Sequence, residues 1–315
     1  MSSSRIDLNG CKNGSCHTKC NKEARAKLSE DDLCKDVKSV CDSLSVRCVG
    51  KWAEKKIYLL YQYLGIFATG MKDKWSEINY IEICSGPGRC INRESGEEID
   101  GTALAVVHHP AFQYLHKAIF FDYNPVVVEV LNKRIEAIGL TSKAIAQRGD
   151  YNNPESICTI LSQQCSTTRS LNLILIDPTD CSVPFALVKR IKKTLQNVDF
   201  IINVATGTDF NRNIPMAFDD KERAAKYETF LGDTTFFHNA INIELYRNRD
   251  YSTLRNKFRE AYQNSMKSIG HTFFDLNMIE HYYDILFAAS HYKALEFWNK
   301  AKAIKYDGQR ELSFE

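Results

Sequence analysis

A short apolar run at Tyr80-Ile81-Glu82-Ile83 leads straight into Cys84-Ser85-Gly86-Pro87-Gly88-Arg89, a glycine-paired turn with the Glu82 carboxylate just ahead of it. Glycines without a Cβ let the chain bend sharply and let a ligand reach the backbone amides, and Pro87 stiffens the segment between them. The turn is not a phosphate loop, because Cys90-Ile91-Asn92 follows Arg89 where a Gly-Lys-Ser/Thr ending would be needed. Nor is it the dinucleotide fingerprint, whose third glycine is replaced by Ile91. A strand, a Gly-x-Gly turn and a nearby acid suit a small nucleoside ligand without phosphates, and S-adenosylmethionine is the candidate cofactor. The same Gly-Pro-Gly is also compatible with an ordinary turn.

Further strand-like runs end in polar residues: Ala118-Ile119-Phe120-Phe121 in Asp122, Ala144-Ile145-Ala146 ahead of Arg148-Gly149-Asp150, and the run over 171–176 in Asp177-Pro178. Helical patterns over 125–138 and 153–161 separate them, with Val126, Val130, Leu131 and Ile138 at helical spacing in the first. Strands alternating with helices predict a doubly wound, mostly parallel α/β sheet, in which ligands sit beyond the carboxyl ends of the strands. Ser85, Gly86, Pro87, Gly88 and Arg89 then form the cofactor loop. Glu82 steadies that loop or takes the amino group of a methionine moiety, Asp122 accepts ribose hydroxyls, and Asp150 with Tyr151 faces the adenine. Asp177 and Pro178 border the methyl acceptor, with Asp177 placing it or removing its proton, and Asp209, Asn211 and Arg212 line the same mouth. Any one of these acids could equally cap the helix that follows it, and 209–213 could be a plain turn.

Taken together the motifs resemble the three-Cys-motif partner proteins, TcmP. They are Trp52 with Lys55-Lys56, Ser85-Gly86-Pro87-Gly88-Arg89, the insert Gly96-Glu97-Glu98-Ile99-Asp100-Gly101-Thr102, and Phe121-Asp122. They continue with Ile176-Asp177-Pro178, Val183-Pro184, Asp209-Phe210-Asn211-Arg212-Asn213, Tyr283-Asp284-Ile285-Leu286-Phe287, Ala294-Leu295-Glu296-Phe297-Trp298 and Gly308-Gln309-Arg310. The resemblance runs from about Val49 to the C-terminus. It implies a methyltransferase-like Rossmann domain and a partner protein bearing a cysteine triplet, and it leaves the substrate open. The alternative to a methyltransferase is a non-catalytic binding module serving that partner. A third reading, an NAD-linked enzyme, is disfavoured by the missing third glycine. Asp177-Pro178 is followed by Thr179-Asp180 rather than the Pro-aromatic pair of nucleic-acid amino-methyltransferases, so base methylation lacks its stacking ring.

Composition sets the remaining bounds. With 315 residues, a net charge of +2 and 25% charged residues, the chain reads as an ordinary globular protein rather than a bulk polyanion binder. Basic clusters at 189–193 and at Arg247, Arg249, Arg255, Lys257 and Arg259 read as solvated helix faces, with nucleic-acid contact as the alternative. No run approaches the roughly 18 apolar residues of a spanning helix, and the expected location is the cytoplasm.

Eleven cysteines are many for a reducing compartment. Cys84 and Cys158 read as small buried groups, whereas Cys11, Cys16 and Cys20, with His17 among them, are candidate metal ligands although no Cys-x-x-Cys pair occurs. Because that spacing is missing, no metal site is expected. Cys34, Cys41 and Cys48 recur every seven residues, which would place them near one helix face.

The expected organisation is a Cys-rich, helical N-terminal extension over 1–48 and the Rossmann domain over 49–315. Within the latter, an amphipathic helix over 51–70 carries Ile57, Leu60, Tyr61, Leu64 and Phe67 on one face, and a helical insertion over 211–270 roofs the crevice. That insertion starts irregularly and contains a helix over 251–268 with Leu254, Phe258, Ala261 and Tyr262 as its stripe. Strands over 271–276 and 282–289 and a helix over 293–303 close the chain.

Overall fold

The computed structural model describes residues 9–16, 33–34, 37–279 and 282–304. It is a mixed α/β chain whose main sheet has seven mostly parallel strands, the fold class expected. Two compact units divide it: Met1–Arg148 with Glu296–Glu315, and Gly149–Leu295. Among the described residues, no helix is long and apolar enough to cross a membrane.

The first unit begins with β1 (Cys11–Lys12) and β2 (Arg47–Val49), followed by α1 (Trp52–Met71). Then come β3 (Glu77–Ile83), β4 (Arg89–Asn92), β5 (Glu97–Asp100) and α2 (Thr102–Val107). The unit's remaining main-sheet elements are β6 (Lys117–Asp122), α3 (Pro125–Ile138) and β7 (Ala144–Arg148). β3, β6 and β7 run parallel, with Ile81, Ile119 and Ile145 in register. β6 is almost continuously apolar, as burial on both faces requires, whereas β3 also buries Asn79 and Glu82. A smaller sheet in the order β1-β5-β4-β2 takes in the glycine-flanked insert as β5.

One expectation for the N-terminal segment is corrected here: Cys34, Cys41 and Cys48 share no helix. The described residues of 1–48 form strands and turns, and the rest of that segment lies outside the described residues. Cys48 lies in β2, and Cys41 sits in a tight turn where Ser43 N–H donates to Ser39 O at 2.9 Å and Ser43 takes φ +59°. The turn wins because short polar side chains satisfy its backbone locally, as when Asp42 accepts from Leu44 N–H. Cys20, His17 and the terminal Gly308-Gln309-Arg310 lie outside the described residues.

Local signals set the other boundaries. α1 buries Ile57, Leu60, Leu64 and Phe67 as its spacing requires, leaves Tyr61 half-buried, and packs Tyr63 edge-on against Trp298. α3 starts on Asn124, whose side chain accepts from Val126 N–H, has Pro125 first, and stops at left-handed Gly139.

The second unit comprises α4 (Pro154–Gln164), β8 (Ser170–Ile176), α5 (Phe185–Thr194) and β9 (Val198–Val204), followed by a single π turn over Thr206–Phe210. Next come α6 (Asn211–Asp219), α7 (Lys221–Leu231), α8 (Ala240–Arg247) and α9 (Tyr251–Ser268), and then β10 (Phe273–Ile279) and β11 (Tyr283–Ala289). β8 and β9 are parallel, and the β10–β11 hairpin returns antiparallel to β9. Where the sequence reads as irregular from Asn211, α6 forms despite Pro215. Asn213 Nδ2 donates to both the carbonyl and the carboxylate of Asp209, anchoring the helix start to the π turn. α9 buries Leu254, Phe258 and Tyr262 as expected, and Met266 replaces Ala261 on that face. Phe258 stacks on Phe210 at 3.8 Å between centroids and lies beside Phe230 and Phe236.

His271 is fully buried at the start of the closing hairpin, with Nε2 on Val198 O at 2.9 Å and its ring edge-on to Phe200. Burial pushes its pKa down to about 4 from the ordinary 6.5. The folded value lies below the unfolded one, so the unfolded chain takes up a proton that the folded chain refuses as pH drops below 6.5. Stability is therefore lost between pH 6.5 and about 4. Urea unfolding at pH 7 and pH 5 checks this: His271→Gln is expected to shrink the acid-induced loss by about 1–2 kcal/mol.

Candidate functional site

In the first unit, φ is positive at Cys84 (68°), Gly86 (66°) and Gly88 (87°) and not at the residues between. Alternation of this kind occurs in backbone turns that can accept anionic groups. Cys84 carries this conformation without glycine's freedom, a strain found mostly at functional turns. The turn hangs on the neighbouring strand: Ser85 N–H donates to Phe121 O at 3.0 Å, and Gly86 N–H donates to Asp122 Oδ2 at 3.0 Å. The other oxygen, Asp122 Oδ1, accepts from Asn124 N–H at 3.1 Å. A carboxylate has about four acceptor positions, so Asp122 keeps capacity for hydroxyl donors after these two bonds. Tyr123 follows, 57% exposed, with the Arg148 guanidinium 5.6 Å above its ring. Sequence reasoning passed over Tyr123, although an aromatic directly after the strand-ending acid was a usable signal.

The other residues expected in this loop have different duties. Glu82 is fully buried and accepts from Tyr80 OH at 2.9 Å and from Thr102 Oγ1, so it binds β3 to the start of α2 from within the fold. Pro87 O accepts from Arg134, which also grips Asp42 in bidentate fashion at 2.7 and 3.0 Å. Burial would raise the Asp42 pKa, but its bonds from Arg134 and the Leu44 amide hold it below the usual carboxylate value. Arg89 is buried and faces Asn9 O, Glu98 and Asp100. The partners that claim Arg89 lie far along the chain, which is why adjacency to the glycines misdirects the reading. Gly88 is required by packing too, since a Cβ there would lie 2.7 Å from Leu131 Cδ1, whereas at Gly86 the nearest atom would be Arg47 Nη1 at 3.5 Å.

In the second unit, Asp150 Oδ1 accepts from Asn152 N–H at 2.8 Å and Tyr151 OH donates to Ser182 Oγ at 3.1 Å. Asn203, the next-to-last residue of β9, donates to both Asp177 Oδ1 at 3.0 Å and Pro178 O at 2.9 Å. It was missed by sequence reasoning, and an Asn within that strand was the available signal. Asp209 is a hub: it accepts from Cys181 N–H at 2.9 Å, Lys226 Nζ at 2.8 Å, Tyr227 OH at 3.0 Å and Asn213 Nδ2 at 2.7 Å. Burial opposes its charge, yet these bonds, led by Lys226, hold its carboxyl below the usual value. Burial and Asp209 together push the Tyr227 phenol upward and keep it a donor. Lys226 also reaches Asp180 at 2.9 Å. An anion so fully satisfied makes a poor proton acceptor, so Asp209 is a structural clamp. Arg212 is exposed on α6.

No family model and no curated protein matches the sequence. Solved structures do resemble it. A putative S-adenosyl-L-methionine-dependent methyltransferase from Methanococcus maripaludis matches at 16% identity and TM-score 0.34, over 77% of this chain and 96% of that one. The O-methyltransferase from Bacillus cereus in complex with SAH matches at 12% identity and TM-score 0.39, over 89% and 92%. A putative tRNA (m1A22) methyltransferase from Streptococcus pneumoniae, in complex with S-adenosyl-L-methionine, matches at 10% identity and TM-score 0.39, over 75% and 72%. Likeness this distant carries no argument about residues.

Urea unfolding separates the two glycines: Gly86→Ala is expected to cost about 1–2 kcal/mol, from backbone strain alone, and Gly88→Ala about 2–4 kcal/mol, from strain plus overpacking. Lys226→Met leaves Asp209 with an uncompensated charge, but Lys226 is 36% exposed. The expected loss is therefore about 1–2 kcal/mol, below that of a fully buried pair.

Proposed function

We propose that this chain binds S-adenosylmethionine and transfers its methyl group, with the first unit holding the donor. The observation that carries this reading is the Gly86–Asp122 bond. It fixes a glycine turn against a strand-ending carboxylate with spare acceptor positions, a pairing suited to a nucleoside. Asp122 accepts the ribose hydroxyls, and the exposed Tyr123 side chain offers a stacking face to the purine. The bound donor supplies a methyl on an activated sulfonium, so the chain's task is placement more than chemical activation. In the second unit, Asp177 is the carboxylate proposed to place the acceptor or take its proton, with Asn203 orienting it. Membership of the three-Cys-motif partner family, and a partner with a cysteine triplet, remain proposals that rest on the sequence motifs.

Isothermal titration with S-adenosylmethionine tests the donor half. Saturable binding is expected, weakened at least about tenfold by Asp122→Ala, or roughly 1.4 kcal/mol, and weakened also by Tyr123→Ala. Absence of binding by the intact chain would remove the donor assignment. Incubation with tritiated donor and fractionated cell extract then reads transfer, and binding without label in any fraction would replace the transferase with a binding module.

A further inference from the structure

Cys11, Cys41 and Glu98 come together although their positions in the sequence are far apart. Cys11 stands directly opposite Glu98 in the β1–β5 ladder, so the two side chains share a face at cross-strand distance. Cys41 arrives on the Ser39–Ser43 turn, whose geometry is tied to the same carboxylate: Cys41 N–H donates to Ser39 Oγ at 3.1 Å, and Ser39 Oγ donates to Glu98 at 2.8 Å. The sulfurs lie 3.0 Å apart, and Cys11 Sγ is 3.9 Å from Glu98 Oε2. One donor atom from each residue falls within 4.8 Å of the other two. We propose that these three side chains form a binding site for a zinc-class dication.

The donor set selects the metal. Thiolates disfavour magnesium and calcium, a carboxylate is a poor ligand for copper(I), and zinc takes both. Two sulfurs at the ~2.3 Å zinc–thiolate distance stand about 3.8 Å apart in a tetrahedral site. Cys41, exposed on its turn, therefore has to swing out by less than an ångström. A disulfide would need a closing movement of similar size, to about 2.0 Å, so Glu98 decides between them. Its side chain is fully buried, and Val40 N–H, Asn13 Nδ2 and Ser39 Oγ all donate to it. An apolar disulfide gives a buried anion nothing, whereas a dication at the same point compensates it. A dication offsets the two thiolates, while the Arg89 guanidinium, 4.0 Å from Glu98 and 3.5 Å from Asp100, serves both carboxylates. Uptake expels the thiol protons, and water from the exposed Cys41 side completes the coordination. The expected absence of a metal site is thus replaced by a new donor set, which shares Cys11 with the triplet considered from spacing and omits Cys16. Bound there, the cation would fasten the N-terminal segment to β5.

Cobalt(II) titration of the chelator-stripped, reduced full chain tests the site. Thiolate-to-cobalt charge-transfer absorption and tetrahedral d–d bands are expected to develop and to disappear on zinc addition. Other cysteines can contribute signal, so the deciding comparison is with Cys41→Ala, at an exposed turn position that leaves folding intact. That variant should bind one equivalent fewer, or bind zinc at least about 100-fold more weakly. Glu98→Gln should weaken uptake as well, and Cys158→Ala, on α4, should leave it unchanged. Cobalt spectra and zinc affinity indifferent to Cys41→Ala would overturn the proposal. So would mass spectrometry showing a Cys11–Cys41 disulfide in the purified protein together with no metal uptake after reduction.

Discussion

The hydrogen bond from Gly86 N–H to Asp122 is the constraint on which the first unit's candidate site depends. Parallel pairing brings the end of β6 beside the end of β3, but pairing alone does not fix a turn that follows a strand. The carboxylate does so by capturing the amide of Gly86, whose φ is +66°. Everything proposed for the donor depends on that capture. It sets the direction of the turn's backbone, leaves Asp122 with acceptor positions to spare, and places Tyr123 immediately beyond.

The second unit solves a comparable problem with charge instead of backbone geometry. Asp209 sits on a π turn directly after β9 and draws α6, α7 and the Cys181 loop onto one carboxylate. Arg259 does similar work on α9, gripping the fully buried Asp284 at 2.7 and 2.8 Å while Thr206 donates to the same side chain. The two clusters gather α6, α7 and α9 around polar centres that apolar packing alone would not orient. The Phe210–Phe258 stack supplies the apolar part of the same junction.

The sequence made legible whatever is encoded locally. Alternation of apolar strands with capped helices gave the sheet, Asn124-Pro125 and Gly139 gave the limits of α3, and glycine chemistry gave the turn at 84–88. Illegible were the partnerships. Arg89 looks like a loop residue until Glu98 and Asp100 face it, and Asp209 looks like a mouth residue until Lys226 and Tyr227 arrive from α7. The seven-residue recurrence of Cys34, Cys41 and Cys48 imitates a helix face, but turn-forming Ser39, Asp42 and Ser43 override it. Metal-ligand spacing failed for a related reason, since a cross-strand cysteine and a distant carboxylate have no signature along the chain.

Arg134 gives the first unit a shared fate. One guanidinium holds the carbonyl at the centre of the glycine turn and, on its other edges, the Asp42 carboxylate of the N-terminal segment. Fraying of residues 39–43 would release two of those three hydrogen bonds and leave a buried cation only partly compensated, so the two regions should open as one cooperative element. Amide exchange at Gly86 would then report on a segment more than forty residues upstream, and a trimmed chain lacking that segment would slacken the turn without touching a single residue in it.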